Sequence, residues 1–453
     1  MKIINTIAMF LYSFGAFAQT HTLTLTVGDF PEQTVLIASY YGEKNFIIDS
    51  AKTDKNGRVV FTLDKKKLPG QYKVVLKGKG SVDLIYNNED VEIKTHSGYP
   101  ADSLKVIRSD ENELYYSFRR FDSDCRMKLE LLSPLVTYYP DKNKFYKEAV
   151  KEYGQLQKMR NGFIEDISEN KPDAFAAKII RMEKTPFLDP SLTDRQKQEF
   201  MKAHFFDNLD FNDTALFRTN VYTNKAITYL TFFGDRSLSQ TELEKEFIKA
   251  VDVILSKVNN HDAVYEFVLE YLVGGFEKYH FDNVLDHIAT HYRSENFCKN
   301  DERKSVLQKR LDSYKKLAVG KPAPDFSLTD IDGNEITIAS FSYDKLVILF
   351  WATWCPHCKE ILPKIKALYD AQETKTWEVI AVSLDTSGTA WRTFLKEGDY
   401  NWINTSELKG WESTIADIYN IYATPTMFVI DRERKILAKP ITFGSLELSL
   451  GNE

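Results

Sequence analysis

From Thr22 to about Ser97 apolar and polar residues alternate, the period of strands with one buried face. The runs Thr22–Val27, Val35–Ala38, Phe46–Ile48, Arg58–Leu63, Tyr72–Leu76, Val82–Tyr86 and Val91–Ile93 are separated by turn pairs such as Asn56-Gly57, Pro69-Gly70 and Asn87-Asn88. Short strands at this spacing predict an N-terminal antiparallel β-sandwich over 19–105. From about Glu111 to Lys316 the period becomes helical, which predicts a central all-α domain over 106–316. Ser239 and Glu242 form a capping-box pattern between Leu238 and Leu243, a hydrophobic-staple pair; Leu243, Phe247, Val251, Ile254 and Val258 follow as one stripe. Thr193 and Gln196 read as a second cap. The self-similarity of a helical solenoid is missing.

Gly320, Pro322 and Pro324 end the helical pattern, and strands alternate with helices over 317–453, an α/β layer fold. Phe326–Leu328 and Ile336–Ile338 flank a hairpin signal at Asp330–Gly333. The apolar run Leu346–Phe350 reads as a buried central strand, and Ile361, Leu362, Ile365 and Leu368 place a helix after it. Strands are expected at Val379–Val382, Trp402–Ile403, Met427–Ile430 and Ile436–Ala438, with helices near 389–396 and 412–419.

The first 18 residues stand apart. Lys2, an apolar stretch from Ile3 to Phe14 and the small-x-small Ala16-Phe17-Ala18 form an export leader cut after Ala18. An uncleaved anchor is the alternative, but the stretch is short for a bilayer and Asn5 interrupts it. The expectation is a periplasmic protein without stable membrane insertion. A net charge of −6 gives no reason to expect nucleic acid or an anionic membrane surface.

Candidate chemistry sits between the central strand and its helix, in Trp354-Cys355-Pro356-His357-Cys358. Free N–H groups and the helix dipole stabilise a thiolate at that turn, so Cys355 can attack a disulfide and Cys358 can resolve the mixed disulfide. Zinc is the bland alternative, but Cys125 and Cys298 are far apart and lack the spacing of a second pair. A structural staple closing so short a loop would gain little. In the helical segment His287 and His291 lie four apart beside Asp286, with His280 upstream and Cys298 downstream. Glu does not follow the first His, so the zinc-protease helix is absent; no metal site is assigned. Whether Cys125 and Cys298 pair is left open.

From Gly320 onward the chain resembles the TlpA/ResA-type branch of the thioredoxin superfamily. The matching stretches are Gly320–Phe326, Trp354–Cys358, Val382–Asp385 and Ala423-Thr424-Pro425-Thr426. The β and helical segments are similar to those ahead of the thioredoxin module in multi-domain periplasmic members. The resemblance implies a C-terminal thioredoxin-like α/β domain and a cis Thr424–Pro425 bond against the cysteines. It makes Thr424 and Pro425 candidates for substrate binding, and Trp354, Pro356, His357 and Glu360 candidates for tuning the site. Two departures stand out. The family often has a buried Glu where this chain has Ile361, and thioredoxin has a buried Asp where it has Leu349; Glu360, one residue earlier, is rotated by about 100°.

The expected activity is a protein disulfide reductase acting on disulfide-containing envelope proteins. No Gly-x-Gly-x-x-Gly fingerprint is present, so no cofactor is expected, and the resemblance assigns electron supply to a membrane thiol carrier. Pro356-His357 matches the dipeptide of oxidising DsbA, which keeps an oxidase or isomerase as a rival. The expected potential lies between about −270 mV for thioredoxin and about −120 mV for DsbA. A peroxidase lacks its Pro-x-x-x-Thr-x-x-Cys signature here. An envelope binding protein with an accessory thioredoxin module is the remaining rival.

Overall fold

The computed structural model describes residues 20–63, 67–140, 142–235, 237–279, 281–292 and 302–451, with side chains from 307 onward in the last stretch. The leader 1–18, His280 and Cys298 lie outside the described residues.

Eight strands form two sheets: β1 His21–Gly28, β2 Thr34–Tyr41, β3 Lys44–Lys52, β4 Arg58–Leu63, β5 Gly70–Leu76, β6 Gly80–Tyr86, β7 Val91–His96 and β8 Lys105–Arg108. One sheet runs β4-β1-β7-β8 and the other β3-β2-β5-β6. Alternation buries Leu23, Leu25 and Val27 of β1 in one core with Val35 and Ile37 of β2 and Val74 and Leu76 of β5. The antiparallel expectation needs one correction. β1 and β7 pair in parallel, Leu23 opposite Val91 through Gly28 opposite His96, so this sheet is mixed. Alternation sets which face is buried and carries no information on which neighbour a strand takes. β8 was not foreseen because four residues are too few to show a period. Gly57 is a backbone necessity: its φ is +74°, and a Cβ there would lie 2.0 Å from the Val27 carbonyl oxygen.

Nine helices follow among the described residues: α1 Asp110–Tyr138, α2 Lys144–Asn170, α3 Phe175–Arg181, α4 Asp194–His204, α5 Val221–Thr231, α6 Gln240–Val258, α7 Asp262–Lys278, α8 Asp282–His291 and α9 Glu302–Lys316. Both caps read from sequence are present: Thr193 and Gln196 bond reciprocally, as do Ser239 and Glu242. By backbone packing the chain forms two units. The first takes the described residues up to Phe232 with Lys257–Val268; the second takes Phe233–Ser256 and Leu269 onward. In the second unit Glu244 of α6 caps α8 by accepting from Asn283 N at 3.0 Å.

The second unit also holds β9 Leu328–Thr329, β10 Glu335–Ile336, β11 Lys345–Trp351, α10 Pro356–Asp370, β12 Trp377–Ser383, α11 Gly388–Gly398, β13 Ile403–Thr405, α12 Thr414–Ile418, β14 Thr426–Asp431, β15 Ile436–Ala438 and α13 Phe443–Leu450. A five-stranded sheet runs β13-β12-β11-β14-β15, with β11, β12 and β13 parallel and β14 and β15 antiparallel to their neighbours. β11 lies inside it, which explains the unbroken apolar run. The expected hairpin is shorter than read: Ile338–Ser340 is a 3-10 turn, because Thr337 and Ser340 cap each other. α13 leaves no helical trace because Leu446–Leu450 alternates like a strand; Thr442 and Ser445 cap it, and Gly451 closes it in the left-handed region.

Candidate active site

Strand register assembles the site. Phe350 near the end of β11 pairs with Val382 of β12 on one side and Thr426 of β14 on the other. The residues just beyond those partners, Asp385 and Thr424-Pro425, therefore flank the Cys-x-x-Cys turn. The Thr424–Pro425 bond is cis.

Cys355 is the N-cap of α10, and Pro356 takes the first helical position, where a missing N–H costs nothing. The Cys355 sulfur does what an oxygen usually does at an N-cap: it accepts the Cys358 backbone N–H at 3.2 Å. On its other side it donates to the Thr424 carbonyl at 3.3 Å. Cys358 faces inward. Cys355 keeps 4 % of its surface in contact with solvent and Cys358 none. Burial pushes the Cys358 thiol up to about 12, reinforced by its hydrogen bond to Cys355.

Asp385, which the sequence placed in the matching stretch Val382–Asp385 without giving it a role, is a further functional candidate. It is 2 % exposed and accepts from Thr353 N at 3.0 Å, Thr353 Oγ1 at 2.6 Å and Ser383 Oγ at 2.7 Å. It thus braces the turn two residues before Cys355. The signal in the sequence was a lone carboxylate ending a run of apolar residues.

The other predicted residues divide. Trp354 is half exposed and stands 5.9 Å from Trp411, ring centre to ring centre. His357 is exposed beside the thiols and, with Glu360, Thr424 and Pro425, lines one cleft. Glu360 points to solvent and pairs with Lys364 at 3.5 Å. Ile361 and Leu349, at the positions where the family or thioredoxin has an acid, are both buried and apolar.

The histidine pair is already engaged. His287 Nε2 lies 2.6 Å from Asp252, His291 Nδ1 lies 3.0 Å from the His287 carbonyl, and the two rings stack. Asp286 turns away to pair with Lys439. Among the described residues no three His, Cys, Asp or Glu side chains are grouped as metal ligands. Also among them, no helix is long and apolar enough to cross a membrane.

A strand–turn–helix with an N-capping cysteine, a buried partner and a cis proline across from it is built for thiol–disulfide exchange. Thiol–disulfide oxidoreductase ResA of Bacillus cereus is 32% identical over 133 residues, spanning 29% of this chain and 75% of the relative. The chain belongs to the ResA family. It is a thiol–disulfide oxidoreductase with a thioredoxin-like C-terminal domain. ResA of Bacillus subtilis is 28% identical over 121 residues, 27% of this chain and 66% of that protein. The AhpC/TSA family model matches residues 319–439, and a domain of unknown function, DUF4369, matches 21–115. Among solved structures, the C-terminal domain of a putative thiol-disulfide oxidoreductase from Bacteroides thetaiotaomicron is 29% identical. It covers 30% of this chain and 96% of its own, with a TM-score of 0.29. A thioredoxin-like protein from Bacteroides caccae is 20% identical, covering 58% and 95%, with a TM-score of 0.41.

Proposed function

We propose that this chain is an exported, periplasmic reductase of protein disulfides in which Cys355 attacks and Cys358 resolves. The supporting observation is the asymmetry of the sulfurs: Cys355 at the helix N-terminus beside a cleft, Cys358 sealed and held protonated. Cys355 thiolate attacks one sulfur of the substrate disulfide; that S–S bond breaks and the second substrate sulfur leaves as thiolate. Cys358 then gives up its proton, for which the departing thiolate is the acceptor, and attacks Cys355 Sγ. That attack breaks the mixed-disulfide S–S bond, the substrate's first sulfur leaves as a thiolate that takes a proton from solvent, and the enzyme holds a Cys355–Cys358 disulfide, so two electrons have moved to the substrate. Glu360, one residue before the position of the family's acid, points to solvent and pairs with Lys364, which favours the departing thiolate over it as that acceptor. Electrons return by thiol exchange from a membrane thiol carrier, and the substrates are disulfide-containing envelope proteins. In the same reading the leader is cut after Ala18, 19–105 is a β-sandwich domain, and 106–316 and 317–453 follow as helical and thioredoxin-like domains.

Pro356-His357 favours the oxidase as a second reading. Equilibration of the full chain against glutathione separates them. A potential between about −270 and −120 mV with the protein isolated reduced supports the reductase. A value near −120 mV with the protein isolated oxidised overturns it. A peroxidase needs Pro and Thr at 348 and 352, where Ile348 and Ala352 stand.

A further inference from the structure

Beside the thiols a cleft of about 420 Å³ opens, inside the size range of sites that hold peptides and small molecules. Its near wall is the redox machinery: His357 and Ile361 of α10 and the loop Tyr422–Thr426. A second wall is Pro440 and Ile441, between β15 and α13, with Phe443 at the start of α13. A third wall comes from outside the ResA-like part of the chain: Tyr314 and Leu317 in and just after α9, and Asp282 at the start of α8.

Those helices also hold the other two walls in place. Tyr314 Oη is hydrogen-bonded to Tyr422, two residues before Thr424, and lies 3.1 Å from Glu277 Oε1. Arg310 Nε donates to the same carboxylate at 3.0 Å. On the second wall, Lys439 Nζ donates to both oxygens of Asp286 in α8, at 2.9 and 3.1 Å. That pair is nearly out of water, and a buried pair contributes little net stability compared with apolar residues of the same size. Its effect here is to fix where residues 439–443 stand. One tie reaches the cis-proline loop and the other the segment after β15, so α8 and α9 anchor two of the stretches that line the cleft.

We propose that α8 and α9 make this cleft a specificity pocket for an aromatic or large aliphatic side chain next to the cysteine under attack in a polypeptide disulfide. The inference rests on Cys355 being the attacking thiol. Continuity with the thiol site and the apolar lining by Leu317, Ile361, Ile441 and Phe443 select that occupant. Burying such a side chain is worth enough to change the choice of substrate, whereas a small disulfide gains nothing from it.

The test uses the full chain and two synthetic peptides with one intramolecular disulfide each, identical except for Phe or Ser beside both cysteines. The wild type should prefer the Phe peptide by about tenfold in kcat/KM, chiefly through KM. Tyr422→Ala, at a half-exposed position, and Leu317→Asn should each bring the ratio within about twofold of one. A wild-type ratio near one, or a ratio unmoved in both variants, overturns the pocket. Cys355→Ser reports on the underlying reading separately. Loss of turnover on both peptides upholds it, and turnover that persists overturns the site assignment itself.

Discussion

Both units bury carboxylates and an ion pair; Glu244 of the second unit, like Glu111 of the first, caps a helix, and the contrast lies with Asp385 and the two ion pairs. In the first unit Glu111 accepts from Phe175 N and Ala176 N at 2.9 and 2.7 Å, capping α3. Arg160 and Asp122, 3% and 6% exposed, tie α2 to α1. Both join one piece of scaffold to another. In the second unit Asp385 accepts from the turn that carries Cys355, and Lys439–Asp286 holds a wall of the cleft beside it. The same local physics, satisfying buried donors and charges, rigidifies a scaffold in one case and positions a thiol in the other. Burial of polar groups is thus a poor locator of function until their partners are traced.

The largest effect that can break this contrast concerns the cysteines. Cys355→Ser should abolish disulfide reduction, and Cys358→Ser should accumulate mixed disulfides, read on non-reducing gels. Cys125→Ser, in a wholly buried site of α1, should leave turnover per folded molecule intact and cost about 1–3 kcal/mol in denaturant unfolding. Equal trapping by the Cys355 and Cys358 variants would remove the asymmetry between the two sulfurs.

Next comes pH. Burial holds the Cys358 thiol up to about 12, so its thiolate fraction grows about tenfold per pH unit below that value. A mixed disulfide preformed on Cys355 with a small monothiol, which leaves no departing thiolate to take the proton, should therefore resolve about tenfold faster for each unit between pH 6 and 9, followed by stopped-flow tryptophan emission. All six tryptophans lie between Trp351 and Trp411, so the signal comes from this domain alone. A flat profile would mean that another group takes the proton ahead of attack.

The ion pair should respond to pH with the opposite sense. Asp286 is raised to about 6 by burial, against the pull of Lys439. Lys439→Met leaves that carboxylate buried alone and should cost about 3 kcal/mol at pH 7.5. Because the folded carboxyl holds its proton more tightly than the unfolded one, with its ordinary value near 4, stability rises as pH falls through the folded value. The cost in thermal unfolding should shrink at pH 5. A cost independent of pH would show that Lys439 acts through packing.

Much of this was legible in the sequence, and the gaps have physical causes. Period and turn chemistry located seven of the strands of the first unit, and an unbroken apolar run located β11, because burial on one face or two leaves a direct trace. The parallel pairing of β1 with β7 left none, since alternation is blind to partners. Cys355 and Cys358 were visible through their spacing at a strand-to-helix turn. Asp385 was visible only as the end of a matching stretch; its role was not, because it depends on Ser383 standing opposite Trp351 across two strands 32 residues apart. The cleft walls from α8 and α9 were hidden for the same reason: Tyr314 and Tyr422, or Asp286 and Lys439, share no local pattern.

The smallest effect is the sharpest test of the opening contrast. Asp385→Asn keeps the shape but turns one acceptor into a donor facing Thr353 or Ser383. It should cost about 1–3 kcal/mol of stability. Glu111→Gln does the same to the cap of α3 and should cost a similar amount. The two should differ in activity per folded molecule. Loosening Thr353 frees the residue two before Cys355, so Asp385→Asn should lower kcat/KM by about tenfold and shift the redox potential, since a misplaced N-cap sulfur loses part of its hydrogen bond to Cys358 N. Glu111→Gln should move neither, because the backbone groups it holds, Phe175 N and Ala176 N, start a helix of the first unit and carry no thiol. A change of potential in the Glu111 variant, or equal stability losses with both potentials unmoved, would show that buried carboxylates in the two units serve one purpose after all.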